Sequence, residues 1–220
     1  MTESTWTFRV GDLLPSSDPV SRFVTVVAAA LNDLLLVNRL LLEPDGATSD
    51  GERQYLLRTA IAHLWELSST LSQWSDEPAV ELLLAALSKD ARQDLDTILA
   101  IASPGSDPIL KTIAHLRNTA TWHYAGPKNA RWIRKALGEA ADHVGSFRFG
   151  ATMGTIRADF ADEVFLQFAV QQFPGDDDAK LAALRLVYQR VGALITAGIR
   201  TAYEVLVAFF QDRREAIDFG

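Results

Sequence analysis

Residues 20–42 read VSRFVTVVAAALNDLLLVNRLLL, and this stretch decides the fold class. Val20, Phe23, Val24, Val27, Leu31, Leu34 and Leu35 recur at three- and four-residue steps. On a helix of 3.6 residues per turn they form one apolar stripe, whereas a strand would need alternation. Glu43-Pro-Asp-Gly46 stops the run. Asn32-Asp33 and Asn38-Arg39 interrupt it without breaking the period, as residues turned toward water do.

The same period continues on both sides. Ser49 to Glu52 has capping-box spacing and opens a second helix to about Trp74, with Leu57, Ala60, Ile61, Leu64 and Leu71 inward. A third helix covers Ala79 to about Ala102. A fourth starts at Pro108, capped by Asp107, and runs to about His123. A fifth spans about Lys128 to Val144. A sixth covers about Asp162 to Phe173, and Pro174-Gly-Asp-Asp-Asp178 opens a long seventh helix to about Arg214. Residues 1–18 read as an extended arm with a turn. The glycines and alternating aromatics of residues 145–160 suit a short hairpin or an ordered loop. The expectation is one all-α domain over 1–220, a bundle of about seven helices. Its core helices lie in 20–144 and its C-terminal helices in 159–214.

The chain has 220 residues, 48% of them apolar and 22% charged, enough to bury a real core. It has no cysteine, which excludes disulfides, thiolate metal sites and cysteine nucleophiles. No signal peptide is visible. No uninterrupted apolar run reaches the roughly 18 residues of a membrane span. A cytoplasmic protein without membrane contact is therefore expected. The phosphate-loop, dinucleotide, zinc-protease and serine-hydrolase signatures are all missing. The four histidines, His63, His115, His123 and His143, assemble no convincing metal set with their carboxylate neighbours, so neither metal nor cofactor is expected.

The net charge is −7, but it is unevenly placed. From Pro108 to Gly138 there is no Asp or Glu, while Lys111, Arg117, Lys128, Arg131, Arg134 and Lys135 make the segment +6. By difference the rest of the chain is −13. Lys128, Arg131 and Arg134 recur at three-residue steps beside Trp132, with Lys135 next to them. They form a candidate track for a phosphate backbone. The alternative is a solvated face paired with the helix that carries Asp90, Asp94 and Asp96.

Within this segment, residues 116–124 read LRNTATWHY. Arg117, Asn118, His123 and Tyr124 gather a permanent cation, an amide, an imidazole and a phenol within eight residues. Imidazole exchanges protons near neutral pH, and guanidinium grips a phosphate bidentately, so the set suits phosphodiester cleavage in RNA. On one straight helix Arg117 and His123 stand about 9 Å apart in rise and roughly 120° apart in rotation. They converge if the helix ends early, or if a second copy supplies half the groups.

Arg117-Asn118-(x4)-His123 resembles the Arg-(x4–6)-His signature of the HEPN superfamily, small α-helical bundles that include metal-independent ribonucleases of toxin–antitoxin and defence systems. The resemblance implies Arg117 and His123 as a catalytic pair, Asn118 as the polar companion, a homodimer, RNA as substrate and an antitoxin-like partner protein. In one branch of that family a Tyr follows the His two positions later; here Tyr124 follows at once. Asp33 or Glu66 is a candidate to orient the pair, with His63 in support. A second match to the pattern, Arg58 to His63, lies mid-helix. The other readings are a non-catalytic helical module binding protein or RNA, and a helical small-molecule binder.

Overall fold

The computed structural model describes residues 7–42, 50–118, 131–139, 141–142 and 159–213. Among them the chain forms nine helices and no strand, the all-α architecture that the apolar period implies. They are α1 (Val10–Leu13), α2 (Pro19–Leu42), α3 (Asp50–Trp74), α4 (Pro78–Ala85), α5 (Lys89–Ala102), α6 (Pro108–Leu116), α7 (Arg131–Glu139), α8 (Asp159–Val170) and α9 (Asp177–Asp212). Residues 145–158, where a hairpin or loop is expected, lie outside the described residues.

By density of internal contacts the chain divides into two compact units, where the sequence suggests one domain. One unit comprises Met1–Asn38, His63–Ser103 and Ala193–Gly220; the other comprises Arg39–Ala62 and Pro104–Gly192. The boundary falls within α2, α3 and α9, so each of these helices serves both units.

In the first unit, Asp18 starts α2. Its carboxylate accepts from the Val20 and Ser21 backbone N–H groups at 3.2 Å and from Ser21 Oγ at 2.7 Å, while Pro19 needs no partner at the first helical position. The buried stripe of α2 is Phe23, Val24, Val27, Leu31, Leu34 and Val37. Val37 replaces the expected Leu35, which is 45% exposed, because three residues beyond Leu34 keeps the stripe on the same face. Leu64, Leu67 and Leu71 of α3 are buried in the same layer, and Leu64 and Leu67 lie against α9 at Gly198. Close approach there depends on Gly198, where a Cβ would stand 3.0 Å from Leu34 Cδ1 and 3.3 Å from Leu64 Cδ2.

Two expectations for this unit are corrected. The N-terminal arm is not wholly extended: Val10–Leu13 make one helical turn that buries Leu13 completely. The third expected helix is two. It stops at Ala85 and restarts at Lys89, where Ser88 Oγ accepts from the Ala91 N–H at 3.2 Å and Leu87 is buried in the corner. Buried Ser68 of α3 then fastens the far end of α5, donating to the Leu99 carbonyl at 3.4 Å and accepting from the Ala102 N–H at 3.0 Å.

The arm is clasped by Arg213, just past α9. Its guanidinium donates to the Leu13 carbonyl at 2.9 Å, to Ser21 Oγ at 3.3 Å and to the Asp18 carboxylate. Burial would raise the Asp18 pKa, but hydrogen bonds from Ser21, Arg213 and the Val20 N–H, with the Arg213 charge, outweigh it and hold the carboxyl below its ordinary 3.8.

In the second unit α6 begins as expected, with Asp107 accepting from the Ile109 and Leu110 N–H groups at 2.8 and 3.1 Å. Leu110, Ile113 and Leu116 form its buried face. Helix α7 packs against α8, burying Ala136, Phe168, Ala169 and Val170. It is shorter than the expected 128–144: it ends at Glu139, directly after Gly138, and Ala141-Asp142 form a turn. Leu184, Val187 and Val191 are the buried stripe of α9 in this unit.

By length and composition α2 and α9 also reach membrane-span values, with 18-residue windows of mean hydropathy 1.7 and 1.5. Core helices of water-soluble proteins pass the same test. The apolar stripes of both helices are packed inside the units described.

Candidate functional site

The end of α6 places the first half of the Arg–His motif. Buried Ile113 and Leu116 pin the helix from below, and the Arg117 backbone stays helical at φ −57°, ψ −51°. Its N–H is shared between the carbonyls of Ile113 and Ala114. Arg117 and Asn118 then adopt π-helical geometry. Such widened turns are rare and are frequently found at functional sites. Arg117 is half-buried and Asn118 exposed, and Arg117 Nη1 donates to Asn118 Oδ1 at 3.1 Å. That bond engages one edge of the guanidinium, whose five N–H groups fan out in a planar fork.

Two further groups stand nearby. His115, two residues before Arg117, is exposed in the last turn of α6. Its ring lies against Phe168 of α8, centroids 5.7 Å apart and planes at 34°. Lys111 is exposed one turn earlier. His123 and Tyr124, the other half of the motif, lie outside the described residues, as does Lys128. Arg131 is the first residue of α7, and Arg134 and Lys135 are exposed on it.

The acidic alternative for this basic face loses one of its members. Asp94 of α5 is held bidentately by Arg200 of α9, at 2.8 Å to Nε and 2.9 Å to Nη2. Asp33 and His63, expected as supporting groups, meet each other, with Nδ1 and Oδ2 at 3.3 Å. Both are partly open to solvent, 51% and 29% exposed, and Glu66 is exposed three residues further along α3.

Arg58 and His63, the second match, have different company. Arg58 lies near enough to Tyr188 for its charge to act on the phenol. Burial raises the Tyr188 pKa above 10 and Arg58 pulls it partly back. His63 instead faces Asp33.

His115 carries no motif of its own, and its one signal in the sequence is that it precedes Arg117 by two residues. Among the described residues no three His, Asp or Glu side chains gather closely enough to hold a metal ion. No family model matches the chain, and neither curated proteins nor solved structures show a significant match to it.

Proposed function

We propose that this protein is a HEPN-like endoribonuclease that cleaves RNA without a metal. Arg117 binds the scissile phosphate and stabilises its transition-state charge. Asn118 holds the guanidinium in place, and His123 transfers a proton. Arg131, Arg134, Lys135 and Lys128 guide the RNA backbone. The observation that carries this reading is the Arg117–Asn118 hydrogen bond at the π-turned end of α6. It orients the guanidinium just beyond Leu116, inside a stretch without a single carboxylate from Pro108 to Gly138.

The chemistry needs no cofactor. Attack of a 2′-hydroxyl on its own phosphate requires proton transfer and charge neutralisation, which imidazole and guanidinium supply. The test is incubation of the purified full-length protein with RNA in EDTA. Cleavage should persist in the chelator and fall by about 10²-fold or more in Arg117→Ala and in His123→Ala. Unchanged cleavage in both variants, or its loss in EDTA, would overturn the assignment.

A further inference from the structure

We draw no further inference here: the strongest candidate, the exposed apolar face of α4 formed by Pro78, Leu82 and Ala85, carries none because nothing in the structure shows what covers it.

Discussion

Two stretches of this chain carry the same Arg-to-His pattern, and their surroundings differ in a way the pattern does not record. Arg58 and His63 sit inside α3, a 25-residue helix, with the buried residues Ala60, Ile61 and Ala62 between them. The Arg58 charge acts on the Tyr188 phenol, whereas His63 meets Asp33. Arg117 follows Leu116, the last residue of α6, and its guanidinium donates to Asn118 within a π-helical turn. A continuous helix fixes side chains in rows set by the 3.6-residue period, so it distributes a five-residue pair between partners. A helix end frees the following residues from that row. An arginine within a helix is thus readily absorbed into the fold, while Arg117, beyond the last regular turn of α6, bonds its own neighbour Asn118.

The sharpest way to break this comparison is to exchange the roles. Arg117→Lys should lose about 10²-fold of RNA cleavage, because an ammonium cannot reproduce the bidentate fork. Arg58→Lys and His63→Ala should stay within about threefold in the same assay. The reverse result would move the site to α3.

A smaller effect concerns an arginine tied into the fold. Arg213 is tied to Asp18, Ser21 and the Leu13 carbonyl. Asp18→Asn should therefore cost about 1 kcal/mol of stability at neutral pH, through the weakened cap and lost ion pair. The sign with pH follows from the depressed Asp18 pKa. The carboxylate's contribution is full above the unfolded value near 3.9 and is lost as pH falls through the lower folded value. The gap between Asp18→Asn and the unmodified protein in denaturant titrations should thus be constant from pH 7 to pH 5 and close below pH 4. Arg117→Ala should leave the unfolding midpoint unchanged at both ends of that range. A loss equal to that of Asp18→Asn would make Arg117 a structural residue.

The smallest effect concerns the pair on the α2–α3 side. Asp33 and His63 are 51% and 29% exposed, so solvent screens their interaction. A double-mutant cycle of Asp33→Ala and His63→Ala should give a coupling below about 1 kcal/mol. A larger value would show that His63 is held more firmly than its exposure implies.

The elements most legible in the sequence were those with both a period and a boundary residue. The α2 stripe and the Asp107-Pro108 start of α6 stand where spacing and cap chemistry place them. The break between α4 and α5 was hidden because Leu84 and Leu87 continue the helical spacing across it, and Ser88 lacks the Glu or Gln that completes a capping box. Leu35 and Val37 are equally apolar, and which one faces inward depends on the layer that covers α2. At the candidate site, Arg117 and Asn118 were legible as residue types. Their mutual hydrogen bond and the π turn were not, since neither leaves a spacing signature.

The sequence alone determined the helical class, the main helix starts and the carboxylate-free basic segment, because periodicity, caps and charge are properties of neighbours along the chain. Tertiary structure decided the partners: Arg213 with Asp18, Asp94 with Arg200, His63 with Asp33, and His115 against Phe168. Most of these pairs join residues far apart in sequence. Folding chooses among several carboxylates and rings of similar chemistry by which faces the buried stripes bring together, and that selection is set by packing rather than by local order.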